Sequence, residues 1–243
     1  MRDGGRDGAT VVCVHGAGGG GWEWSIWARA LVLAGFDVLA PDLVPAAGGL
    51  AATRLADYRR QVADWCRIPA PRGLHLVGAS LGGLLALATA RAAHARSLVL
   101  VNPLPPAGLP PRDAPTPAVI PWRSAATLRG TREAMPDADA AACLHAFRRW
   151  RDESGAVVDE ARGGLAIDPP TCPVLVIASE RDEDVPFASS HALACALGAD
   201  FECVRAASHV GPLLGGSAAS VAARVAHWLG RLPPRDEPPG TGI

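Results

Sequence analysis

Six short runs of apolar, often β-branched residues alternate with longer segments of helical period, and no other feature narrows the possible folds as far. The runs are "ATVVCV" (9–14), "FDVLAP" (36–41), "LHLVGA" (74–79), "SLVLVN" (97–102), "PVLVIAS" (173–179) and "DFECVR" (200–205). Most are apolar at successive positions, so both faces need cover, as for parallel strands between two helical layers. The segments at about 24–34, 53–66, 81–93, 187–197 and 217–230 space their apolar residues as helices do. "AASVAARVAHWLG" is the clearest, with Gly230 as its stop. Strand and helix in alternation predict an α/β fold: a doubly wound, mostly parallel sheet of about six strands with helices on both faces.

Two regions interrupt this rhythm. Residues 103–172 separate the fourth and fifth strands by a distance no ordinary connection needs. The segment opens Pro-rich ("NPLPPAGLPPRDAPTPAVIPW") and later holds one convincing helix, "DADAAACLHAFRRWRDE". It is expected to be an inserted helical cap over the sheet's C-terminal edge, with 1–102 and 173–230 forming the core. Residues 231–243, ending in "PPRDEPPGTGI", read as a disordered tail.

Composition excludes several classes. A chain of 243 residues, 49% hydrophobic, can bury one sizeable core. Its net charge of −1 offers nothing to a polyanion, so no nucleic-acid partner is expected. All 23 basic residues are arginine, which rules out any mechanism that needs an active-site lysine. Cys13, Cys66, Cys143, Cys172, Cys195 and Cys203 show no metal-ligand spacing and read as buried free thiols. "MRDGGRDGATVVCVHG" contains no apolar signal region, and no stretch has the length of a membrane span. The expectation is a cytoplasmic protein with a small-molecule substrate and no membrane partner; a homodimer is left open.

Chemistry enters at "HLVGASLGGLLAL", where Ser80 stands between the third strand and its helix. A sharp strand-to-helix turn strains the serine backbone and leaves room only for near-absent side chains two residues either side, which Gly78 and Gly82 supply. Gly83 eases the packing of helix on sheet. The turn lifts the hydroxyl to the edge where α/β folds hold ligands, with helix amides aimed at developing negative charge. A serine nucleophile needs a base, and the base needs an orienting acid. Both are expected in loops after later strands, where "ERDEDVP" and "AASHVG" supply Asp182 and His209 in the order Ser, Asp, His. Asp184 and Glu180 compete with Asp182 for the acid. The amide of Leu81 is one oxyanion donor, and the other is expected from the Gly-rich loop "HGAGGGGWEW" after the first strand. That loop lacks a clean G-x-G-x-x-G leading into a helix, and only Asp42 approaches a ribose-binding acid, so a dinucleotide site is disfavoured.

In order and spacing, "VHGAGGGGWEW", "LAPDL", "GASLGG", "ERDEDVP" and "SHVG" resemble the α/β-hydrolases of the lid-bearing esterase type, over nearly the whole chain to about residue 230. Within them the pattern is similar to the small methylesterase and hydroxynitrile-lyase group. The resemblance implies Ser80 as nucleophile, His209 as base, Asp182 as orienting acid, and the Ala17 and Leu81 amides as the oxyanion hole. His15 and Asp42 match positions that organise loops in the family. Ala79 stands where histidine is frequent, "DLVPAAGG" replaces the usual D-L-x-G-x-G, and the absence of lysine argues against cyanohydrin cleavage by the group's lyase route.

The implied activity is cleavage of a carboxylic ester, thioester or lactone through an acyl-enzyme, with no metal or organic cofactor required. Seven Trp against four Phe and one Tyr make tryptophan the main aromatic surface. Trp22, Trp122 and Trp150 are the candidates to line an apolar pocket, so an apolar or aromatic substrate is expected. The alternative is a hydrolase scaffold recruited for non-hydrolytic biosynthetic chemistry such as cyclisation, elimination or C–C cleavage.

Overall fold

The computed structural model describes residues 8–110, 114–206 and 208–233; the expected tail lies almost wholly outside them. In chain order the elements are β1 (Thr10–Val14), α1 (Ser25–Leu33), β2 (Asp37–Leu39), α2 (Leu55–Trp65), β3 (Leu74–Ala79), α3 (Leu81–Ala90) and β4 (Ser97–Val101). The inserted segment follows with β5 (Val119–Ile120), α4 (Leu128–Ala134), α5 (Ala140–Phe147), β6 (Glu153–Ser154) and α6 (Gly155–Arg162). The core resumes with β7 (Val174–Ser179), α7 (Phe187–Leu197), β8 (Asp200–Val204), α8 (Gly211–Leu214) and α9 (Ala218–Gly230).

Every strand pair of the six-stranded sheet is parallel, in the order β2-β1-β3-β4-β7-β8. The four inner strands are buried along their whole length, as their apolar runs require. The two edge strands are not: every residue of β2 and β8 except Val204 is exposed or partly buried, because each strand has a neighbour on one side only. Two apolar clusters form around the sheet. One gathers Trp24, Trp27 and Leu31 with Val221, Val225 and Leu229 of α9; the other gathers Tyr58 and Val62 of α2 with α3 and Leu193 of α7. The sheet therefore carries helices on both faces.

The inserted segment differs in detail from its sequence. The convincing helix is confined to Ala140–Phe147, where the Asp139 carboxylate caps the Ala142 amide at 2.7 Å. Two further helices, α4 and α6, escaped notice because their short sequences contain Gly130 or begin at Gly155. β5 and β6 pair antiparallel, so the segment folds on itself before the chain returns to the sheet. The thiols also depart from expectation: all six are free, but Cys195 and Cys203 are exposed, on α7 and the edge strand β8.

Candidate active site

Ser80 sits between β3 and α3 at φ 54°, ψ −121°, a backbone conformation that L-residues adopt only where the surroundings enforce it. The surroundings are backbone. A side chain at Gly78 would overlap the Gly82 carbonyl, and one at Gly82 would overlap the carbonyls of Val14 and His15. Gly83 lets α3 close on Pro103, whose Cβ would be 2.8 Å from an added methyl. The serine N–H donates to the Val101 carbonyl at 3.0 Å, and its own carbonyl accepts from Gly83, Leu84 and Leu104. The elbow is thus tied into both β4 and the start of the inserted segment.

His209 follows β8 and Asp182 follows β7, neighbours in the sheet. Asp182 Oδ2 lies 2.6 Å from His209 Nδ1, while its Oδ1 accepts from the Asp184 and Val185 amides at 2.9 and 3.0 Å. The Asp182 side chain is almost wholly buried, whereas Asp184 and Glu180 are exposed. Burial alone would lower the His209 pKa, but the Asp182 hydrogen bond and charge, with a further pull from Asp184, hold it above the ordinary histidine value. Candidate ligand atoms of Asp182, Asp184 and His209 all fall within 4.8 Å of one another, yet a cation there would compete with the acid–imidazole bond. Asn102, which the sequence reading passed over as a strand end, holds this corner together. It too has positive φ, at 44°; its Nδ2 donates to Ser179 Oγ and the His209 carbonyl, and its Oδ1 accepts from the Ser179 amide.

The loop after β1 supplies the second edge of the site. His15 is fully buried and lowered to about 4 by burial, with Arg151 adding to the shift and the Gly16 bond and Asp42 opposing it. The neutral ring accepts from the Leu43 amide at Nε2, so Nδ1 carries the proton and donates to the Gly16 carbonyl, both at 2.8 Å. In a trans peptide the carbonyl and the next N–H point oppositely. Fixing the Gly16 carbonyl on His15 therefore turns the Ala17 N–H away from that ring. Among the described residues neither the Ala17 nor the Leu81 amide donates to a protein acceptor. Gly16 packs on the serine, its ideal Cβ position 3.3 Å from Ser80 Cβ. Asp42, after β2, accepts from the Gly21 amide at 2.7 Å and pairs with Arg151 at 3.2 Å, contacts that brace the loop after β1. Glu153, unremarked in the sequence, is buried on the inserted segment and accepts from the Gly18 amide (3.1 Å) and the Tyr58 hydroxyl (2.8 Å). A charged residue inside the inserted segment gave no sign of this contact.

These edges enclose a cavity of about 700 Å³, lined by Ser80, His209, Ala17 and Leu81 and by mostly apolar residues of the inserted segment. Among the described residues the Ser80 hydroxyl and the imidazole are not hydrogen-bonded to each other, although both face this space; such bonds commonly tighten only around substrate. Trp122 and Trp150 line the cavity as expected. Trp22 does not. Its turn, Gly21–Trp24, sets the ring edge-on against His145 of α5 and against Trp150 just beyond that helix, at 5.6 and 5.3 Å. Trp24 and Trp27 are core residues, stacked edge-on at 5.3 Å.

The family described as the alpha/beta hydrolase family matches residues 11–226. No curated protein matches the chain. Among solved structures, a methylesterase from Arabidopsis shares 15% identity over 91% of this chain and 99% of its own, with a TM-score of 0.70. A variant of tomato methylketone synthase I bound to β-ketoheptanoate shares 14% over 93% and 99%, with a TM-score of 0.74. A pyrethroid hydrolase shares 20% over 92% and 98%, with a TM-score of 0.71. At such identities the likeness is one of fold. The matched family covers both the sheet and the segment inserted into it, and the chain belongs to the alpha/beta hydrolase family.

Proposed function

We propose that the chain is a serine hydrolase that cleaves a carboxylic ester, thioester or lactone of an apolar or aromatic small molecule, with residues 103–172 as its cap. One observation carries the reading: a hydroxyl on a strained elbow, an acid-bound imidazole and two amides without protein acceptors border one apolar cavity. In the proposed reaction Ser80 Oγ bonds to the carbonyl carbon while its proton passes to His209 Nε2. The electron pair displaced onto the carbonyl oxygen is held by the Ala17 and Leu81 N–H groups. The imidazolium then protonates the departing alcohol or thiol, and water repeats the sequence to free the acid. Asp182 keeps the Nδ1 proton in place and stabilises the imidazolium. The methylesterase and the pyrethroid hydrolase of like fold support an ester as the scissile group.

A fluorophosphonate probe should label the wild type at Ser80 and leave Ser80→Ala untouched. A panel of p-nitrophenyl esters, acyl-thioesters and lactones then names the scissile bond. A labelled wild type that hydrolyses no member of the panel would move the protein to the non-hydrolytic alternative, and turnover that survives in Ser80→Ala would overturn Ser80 as the nucleophile.

A further inference from the structure

Glu23 belongs to the Gly-rich loop but has no part in the reaction above. Its side chain is 3% exposed, yet it lines the same cavity as Ser80 and His209. Oε2 accepts from the Gly16 amide at 3.3 Å, and Gly16 in turn packs on Ser80. The carboxyl lies against Gly19, where any side chain would overlap it. The charged groups around it are His209, Arg151 and Asp42; His209 is bound to Asp182, and Arg151 to Asp42. No ion pair reaches Glu23 among the described residues. A buried carboxylate without a cation of its own is unfavourable. Burial accordingly pushes Glu23 up to about 8, against the opposing pull of the Gly16 amide, His209 and Arg151.

We propose that Glu23 binds substrate as the neutral acid, donating its carboxyl proton in a hydrogen bond to a second acceptor atom beside the scissile carbonyl. This rests on the esterase reading and narrows its substrate class. A neutral carboxylic acid is a donor that needs an acceptor. Among the described residues the one hydrogen bond of Glu23 is that accepted from the Gly16 amide, so the acceptor for a carboxyl proton comes from what fills the cavity. The ester carbonyl oxygen is taken by the Ala17 and Leu81 amides, which leaves an ether, hydroxyl, keto or similar acceptor elsewhere on the substrate. Ionisation would remove the donor and set a negative charge near the developing oxyanion, so both effects lower the rate as pH rises.

Two p-nitrophenyl esters of equal size, the methoxyacetate and the butyrate, differ by one chain oxygen. Glu23→Leu should lower kcat/KM for the methoxyacetate about tenfold more than for the butyrate. Glu23→Gln keeps a donor and the shape, so it should recover most of that preference and abolish the alkaline decline expected of the wild type above about pH 8. Equal losses for the two esters, or an alkaline decline that persists in Glu23→Gln, overturn the proposal. If Glu23→Leu does not fold, the Glu23→Gln pH profile decides alone. If the wild type cleaves neither ester, the esterase reading fails separately. Ligand-observed NMR on Ser80→Ala then decides: tighter binding of the methoxyacetate, lost on adding Glu23→Gln or Glu23→Leu, supports the donor, and equal binding of the two esters overturns it.

Discussion

The elbow at Ser80 and the inserted segment above it are held by different means. Around the elbow the contacts are backbone against backbone: Gly82 meets the Val14 and His15 carbonyls, and Ser80 bonds to Val101. The inserted segment is attached largely by side chains. Glu153 accepts from the Gly18 amide and the Tyr58 hydroxyl, Glu160 accepts from the Leu55 amide, and the Arg151 guanidinium donates to the Leu43 carbonyl. Its helices are only seven or eight residues long. Backbone contacts leave almost no residue choice, whereas side-chain ties can be exchanged one at a time. The difference teaches that the reacting groups tolerate little change and the pocket walls tolerate much.

The largest effect expected is at the elbow. Gly82→Ala forces a methyl into two carbonyls and should destabilise the fold by about 3 kcal/mol while abolishing Ser80 labelling. A variant with wild-type Tm and labelling would break the comparison. Next is the acid: Asp182→Asn should lower kcat about 10³- to 10⁴-fold with KM within about threefold, because the imidazole loses its tautomer and its counter-charge. The pH profile follows. Only neutral His209 can accept the serine proton, so kcat/KM should fall tenfold per unit as pH drops below its pKa. The midpoint should lie above the ordinary histidine value, since burial is more than offset by the Asp182 hydrogen bond, the Asp182 charge and Asp184 together. In Asp182→Asn the midpoint should move down; an unchanged midpoint would refute the coupling.

On the other side of the comparison, Trp122→Ala should raise KM for aromatic esters about three- to tenfold with little change in Tm, since that ring lines the cavity yet is 40% exposed. The smallest effect is Asp184→Asn, expected within about threefold in kcat because its carboxylate is exposed and makes no direct bond to the imidazole. Trp22→Ala sharpens the contrast between the tryptophans. It should cost about 3 kcal/mol of stability while leaving KM close to wild type, because its ring packs beneath Trp150 instead of facing Ser80.

Much of the fold was legible because its signals are local. Each of the six apolar runs became a sheet strand within a few residues of its expected ends, and the five core helices followed their periodicity. The segment 103–172 was less legible. Its short helices depend on caps such as Thr127, whose hydroxyl accepts from the Gly130 amide, and on contacts with the core more than on their own periodicity.

By itself the sequence determined the order of strands and helices, the serine at a turn that only glycine neighbours permit, and the loops in which a histidine and an acid could meet it. These follow from steric limits and hydrophobic periods that act over a few residues. Tertiary structure alone decided that Asp182 faces the imidazole while Asp184 faces solvent, and that Trp122 enters the cavity while Trp22 turns from it. It also decided that Glu153 and Asn102 brace loops more than a hundred positions away. The direction of a side chain depends on which distant backbone packs beside it, and that is set only when the two clusters close around the sheet.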